Sequence, residues 1–176
     1  MPDPKYSLVE RERRFLVDPA TMPLLDLARS RLIEDRYLPD TGLRLRRVTA
    51  PGTPPAHKLG KKYEGAGLSS RPMTNLYLDP AEDDALSRLP AAVLVKRRHD
   101  VGAGFVIDVF EGPLAGLILA EVSSDDDAAL AAIAPPLWCA AEVTEDRRYA
   151  GGTLAIEGWH ANGRIRVVSA EEGDVE

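Results

Sequence analysis

Short runs in which charged and apolar residues alternate recur along this chain, and they restrict its folding more than any other feature. The first is VERERRFLV, residues 9–17. In an extended strand, side chains two apart share a face, roughly 7 Å from one another. Glu10, Glu12 and Arg14 then share one face, and Val9, Arg11 and Arg13 the other. The same parity groups Arg44 with Arg46, Lys58 with Lys62, and Lys96 with Arg98. It groups Asp108 with Val106 and Phe110, Glu121 with Ser123, and Glu142 with Thr144. A sheet with its polar face in water accounts for any one run. Charged faces turned inward account for their sorting into basic pairs and acidic pairs. A wet barrel of that kind needs a bound anion to balance its bases, and closed barrels of sufficient size enclose such a cavity.

The strand runs are Tyr6–Val17, Leu32–Leu38, Leu43–Thr49, Ala56–Glu64, Ser70–Leu78, Val93–His99, Phe105–Glu111, Leu117–Ser123 and Cys139–Thr144. LPDTGLRL and DVGAGF carry the turn residues of antiparallel hairpins. Three short helices fit between the strands. One opens at Asp18 with Pro19 at its first position, the second at Asp79 with Pro80, and the third lies in SSDDDAALAAIAPP. Gly151–Gly152 reads as a turn. The absence of a βαβ rhythm predicts a mainly β (α+β) fold, a largely antiparallel barrel or meander with a few flanking helices.

The net charge is −6, with bases concentrated at 42–62 and 96–98 and acids at 79–84, 121–127 and the C-terminus. That balance argues against a nonspecific nucleic-acid coat and suits the capture of a small polyanion. The single cysteine, Cys139, excludes a disulfide framework and a cysteine zinc site, and reads as core rather than nucleophile. His57, His99 and His160 are dispersed and read as structural or exposed; Trp138 and Trp159 read as lids or core packing. With neither a membrane-length apolar run nor a signal-peptide pattern, the expectation is a soluble, cytoplasmic protein without a membrane partner. Arginine and lysine on rigid strands suit phosphate oxygens, and paired carboxylates suit a hard divalent cation.

VERERRFLV resembles the Glu-x-Glu-x-Lys signature that opens CYTH domains, the triphosphate tunnel metalloenzymes. The resemblance continues in order through IEDRYLPDTGLRLRR, HKLGKK, LVKRRH, VIDVFEGPLAGLILAEVSS and EVTEDRRYAGGTLA, roughly Leu8 to Ala155. It implies a closed, eight-stranded antiparallel tunnel, drawn over residues 1–156; by composition, the tail ending in SAEEGDVE makes 157–176 a C-terminal extension expected to be partly disordered. It also implies hydrolysis of triphosphates with magnesium or manganese, inorganic tripolyphosphate being the favoured substrate. RNA 5′-triphosphate ends are the one nucleic-acid partner it allows, and a homodimer is open. Glu10, Glu12, Asp108 and Glu121 fall on catalytic acids, with Glu10, Glu12 and Glu121 toward metal. Arg44, Arg46, Lys62, Lys96 and Arg98 fall on triphosphate-gripping positions. Arg14 stands at the signature's lysine, and Lys58 joins the inward bases by strand parity alone.

Three departures weaken the acidic set: Ser123, Met73 and Asn75 stand where the family pattern has glutamates. They leave open a second reading, a weakened tunnel that binds polyphosphate or nucleotide without turning it over. Adenylyl cyclase and thiamine triphosphatase activities rank below both. Removing Arg44 and Arg46 is expected to weaken anion binding and spare the fold, because like charges repel.

Overall fold

Nine strands form where charge alternates with apolar residues: β1 Leu8–Val17, β2 Arg31–Tyr37, β3 Leu43–Thr49, β4 Ala56–Lys62, β5 Ser70–Leu78, β6 Ala92–Gly102, β7 Phe105–Phe110, β8 Ile118–Ser123 and β9 Cys139–Glu142. The structure, a computed structural model, describes residues 4–64 and 67–159. All pairings are antiparallel, in the order β5-β4-β3-β2-β6-β7-β8-β1-β9, and a further β5–β1 pairing closes the first eight strands into a barrel. The long first strand makes closure possible by dividing its edges. Leu8–Arg11 pair with β5, Glu12–Leu16 with β8, and Phe15–Val17 with β9. The β6–β7 hairpin turns through Gly102, Ala103 and Gly104, all at positive φ, which the two glycines adopt without strain.

Two apolar clusters lie on opposite sides of the barrel wall. Outside it, Phe15, Phe105, Ile107, Ala120 and Val122 are buried beneath Leu130 of α2, Asp127–Ala132, with Met22 and Leu25 packed against them. Trp138 meets Phe105 edge-on at 5.6 Å and belongs to this core. Inside it, Leu94, Phe110 and Leu119 take the inward parity and meet Leu154 of α3, Gly151–Glu157. Trp159 packs on that inner cluster. One end of the lumen is therefore apolar and plugged, and the charged positions line what remains.

The helix expected at Asp79 is α1, Pro80–Ser87, with a full capping box between Asp79 and Glu82. The helix expected from Asp18 does not form. Asp18 instead closes a turn, its carboxylate accepting the Ala20 N–H at 2.9 Å, and only a short 3₁₀ turn follows at Leu27–Arg29. Pro23 explains this: a proline there removes a helical donor, clashes with the preceding turn and biases Met22 away from helix. The Gly151–Gly152 turn is likewise corrected, since these residues begin α3. His160 and the acidic tail lie outside the described residues, and α3 crosses the boundary drawn at 156. No helix among the described residues is long and apolar enough to cross a membrane.

Candidate active site

Strand parity carries the charged side chains inward, and the pairing register then decides which of them meet. Across β2 and β3, Asp35 faces Arg46 and Tyr37 faces Arg44. Arg98 faces Asp108 across β6 and β7, and Arg14 faces Glu121 across β1 and β8. The result is a cavity of about 70 Å³ whose charged wall comes from six strands. Its cations are Arg14, Arg44, Arg46, Lys62, Lys96 and Arg98; its anions are Glu10, Glu12, Asp35 and Glu121, leaving two positive charges in excess. Leu94, Phe110, Leu119 and Leu154 close the inner end. A wider opening of about 530 Å³ shares Glu12, Arg14, Arg44 and Lys62, and adds Arg71, Met73 and Arg147.

Every carboxylate in the wall is paired. Glu10 is bound to Lys62, Glu12 to Arg14 at 2.5 Å, and Glu121 to Arg98 with Arg14 at 3.4 Å and Lys96 at 3.8 Å. Burial opposes the charge of Glu121, but Lys96, Arg98 and Arg14 outweigh it and hold its pKa well below the usual carboxylate value. Burial likewise works against Glu10, and Lys62 and Arg44 prevail and lower it. For Arg14, Arg46 and Arg98 desolvation is overcome by neighbouring acids, and each pKa rises further. Burial, with Asp35 nearby, pushes the Tyr37 hydroxyl up to about 12, so it stays protonated.

Two sequence-selected residues lie elsewhere. Asp108 takes the inward parity of β7 but is fully buried beneath the lumenal bases, accepting from Lys96 at 2.5 Å and from both Nε and Nη2 of Arg98 at 2.7 Å. Both its oxygens are occupied by these bases, so it is a support beneath the site rather than a group facing water in it. Lys58 keeps the inward parity, but its ammonium lies over the exposed Tyr77 ring at 4.8 Å and does not line the cavity. Ser123 sits exposed opposite Glu12, and Met73 lies opposite Lys62. His99 is buried with Nδ1 3.3 Å from the Asp26 carbonyl, and His57 stands 2.8 Å from Asp83, both away from the cavity. Burial pushes the Cys139 thiol up to about 11, in keeping with an inert side chain.

Asp35 went unselected in the sequence, as did Tyr37. Asp35 is 1% exposed and accepts Nε and Nη2 of Arg46 at 2.6 Å each, with Arg44 Nε at 3.7 Å. Its signal was available: a carboxylate two residues from Ile33 and from Tyr37 in a strand takes the apolar, inward parity. It also corrects the expectation that the fold tolerates loss of both arginines, since their removal strands a buried charge. As for metal, Glu10, Glu12 and Glu121 offer the hard oxygen donors that magnesium or manganese prefers. Among the described residues, however, no three His, Cys, Asp or Glu side chains are arranged as a ready-made metal site. The donor chemistry fits; the carboxylates are held by cations until something displaces them.

Fold and site together define an ion-lined antiparallel tunnel, closed at one end. No family model matches the chain. A stretch of 55 residues is 46% identical to a curated inorganic triphosphatase of Nitrosomonas europaea, covering 31% of this chain and 36% of that protein. The match thus spans about a third of the curated relative's length. Two crystal structures of the protein NE1496, one described as an inorganic triphosphatase, share 30% identity over 83% of this chain with a TM-score of 0.54. The match covers 97% of one and 93% of the other. The chain belongs to the CYTH, or triphosphate tunnel, family.

Proposed function

We propose that this chain hydrolyses triphosphates, with inorganic tripolyphosphate as the favoured substrate. The observation that carries this reading is the convergence of six cationic side chains on one narrow, one-ended cavity. A linear polyphosphate presents oxygens on all sides, so bases spread around the lumen on β1, β3, β4 and β6 grip it as a single flat patch would not. The related inorganic triphosphatase supports the same reading. Arg44 and Arg46 on β3 and Lys96 and Arg98 on β6, the two strands that flank β2, bind and orient the chain of phosphates. Arg14 and Lys62, shared with the wider opening, complete the grip nearer solvent. The apolar plug at the inner end excludes water there, which strengthens each of these interactions. As the anion takes the bases, Glu10, Glu12 and Glu121 are freed of their cations, and they are the residues that would hold a divalent cation. That cation, when bound, supplies charge neutralisation and polarises a phosphoryl oxygen. Fixed cations stabilise the charge that develops as water displaces the leaving phosphate, and no covalent nucleophile on the chain is required.

A second reading, binding without turnover, is favoured by Ser123, Met73 and Asn75 at acidic positions of the family pattern. The test is phosphate release from tripolyphosphate, ATP and thiamine triphosphate with magnesium and with manganese, beside calorimetry on the same ligands. Release fastest from tripolyphosphate supports the enzyme. Tight binding with no release under either metal supports the binder, and neither binding nor release sinks both. Ser123→Glu adds a carboxylate opposite Glu12. It is expected to raise magnesium-dependent turnover and lower the magnesium needed for half-maximal rate. An unchanged magnesium titration would show that the metal is held without position 123.

A further inference from the structure

Asp35 is the one wall carboxylate that this reading leaves without a task. It occupies Nε and Nη2 of Arg46 at 2.6 Å each, and its Oδ1 stands 3.7 Å from Arg44 Nε. That Arg44 nitrogen is a buried donor with no hydrogen-bond partner among the described residues. Asp108 holds Lys96 and Arg98 in a similar way but is covered by them and does not line the cavity, whereas Asp35 does. An anion arriving at Arg44 and Arg46 therefore meets a carboxylate already seated on the same guanidinium.

We propose that Asp35 is a tethered counter-anion: it fills the Arg46 fork in the free protein, competes with incoming phosphate oxygens, and so limits how tightly substrate and product are held. The inference rests on the reading that a polyphosphate enters this cavity. Its physics is Coulombic. A fixed negative charge a few ångströms from a polyanion, in a cavity poorly reached by water, weakens binding by about tenfold or more. Without that opposition, a cavity with this many cations would retain pyrophosphate after the reaction and stall.

Asn keeps the shape of Asp and one acceptor oxygen but removes the charge. Calorimetry with a chelator present is expected to show Asp35→Asn binding tripolyphosphate and pyrophosphate about tenfold tighter than the wild type. Asp35→Glu, which keeps the charge, should stay within about threefold of wild type. Steady-state kinetics should show KM and kcat falling together in Asp35→Asn, with stronger inhibition by pyrophosphate. Without ligand, Asp35→Asn leaves Arg44 and Arg46 uncompensated, so it should unfold more readily and regain stability in saturating tripolyphosphate. Binding by Asp35→Asn that is equal to or weaker than wild type overturns the proposal. So does a variant that cannot fold even with saturating tripolyphosphate, because the anion should then take the carboxylate's place. A wild type that binds no tripolyphosphate points instead to failure of the functional reading itself.

Discussion

Each arginine in the tunnel wall has a carboxylate seated on or beside it, and that pairing governs what single substitutions do. Arg46→Ala would leave Asp35, 1% exposed, with Arg44 at 3.7 Å and the more distant Lys96 as its neighbouring cations. Removing one partner of a buried pair costs about 3–5 kcal/mol. We therefore expect Arg46→Ala to lose stability as well as phosphate affinity in urea unfolding; an unchanged midpoint would mean that Asp35 finds water. The same pairs set the acid limit. Burial alone would raise Asp35 and Glu121, but Arg46 and Arg44, and Lys96 and Arg98, bring both below their ordinary values of 3.8 and 4.5. Carboxylates lowered in the folded state contribute stability that is complete above those values and is lost as pH falls through the lowered ones. The thermal midpoint should thus hold level down to about pH 5 and fall below about pH 4, and the gap between wild type and Glu121→Gln should narrow over that fall. A gap that is constant with pH would assign the acid transition to other groups. Strand parity made Glu10, Glu12, Arg14 and the other lumenal bases legible in the sequence. It could not show that Asp108 sinks behind them, because parity gives a face and not a depth. Lys58 shows the same limit: its parity is inward, but its long side chain ends on Tyr77.

At the scale of elements, α3 decides where the tunnel stops. Leu154 is 1% exposed and packs with Leu94, Phe110 and Leu119 inside the barrel. The helix reaches that depth because it begins with glycine. A Cβ at Gly151 would stand 2.1 Å from the Tyr37 hydroxyl and 3.1 Å from its ring carbon, so only a residue without a side chain lets the helix rest on Tyr37. Gly151→Ala must move either the helix or Tyr37, which sits opposite Arg44. Overpacking of this kind costs about 1–3 kcal/mol. Tyr37→Phe removes the closest atom, so a double-mutant cycle should find Gly151→Ala much milder in the Phe background. Equal costs in the two backgrounds would mean that the contact is relieved by helix movement alone. This plug was not legible in advance, since Gly-Gly after a polar stretch carries the chemistry of a turn, and seven residues hold too little periodicity to argue otherwise. The nine strands were legible for the opposite reason. Most repeat a two-residue pattern in short runs bounded by Gly, Pro or Asp, and the LPDTGLRL and DVGAGF turns have the residues their backbones need. The Asp18 segment failed where a start signal was weighed above the stop signal of Pro23, five residues on.

Across the whole molecule, closure of the barrel rests on a short seam. Only Leu8–Arg11 of β1 pair with β5, reinforced by the Glu10–Lys62 ion pair and by Glu145, whose carboxylate accepts the Leu68 and Ser69 N–H groups at 2.9 Å. The strands flanking that seam also carry bases of the cavity: Arg14 on β1, Lys62 on β4, and Arg44 and Arg46 beyond it on β3. A polyphosphate held by all of them braces the seam from within, while the same anion draws Lys62 away from Glu10. The first effect should win, because several charge-assisted bonds of about 1.5–3 kcal/mol each replace one half-exposed pair. At a hundred times its dissociation constant a ligand adds about 2.7 kcal/mol to stability. For a domain of this size that corresponds to a rise in Tm of roughly 5–10 °C. Tripolyphosphate is therefore expected to raise the melting temperature by this order, with the increment shrinking as salt screens the cations nearest the opening. Hydrogen exchange should localise the gain to the amides of β1 and β5. A rise in Tm with no added protection along that seam would mean that the anion binds one wall of the barrel and never spans the lumen.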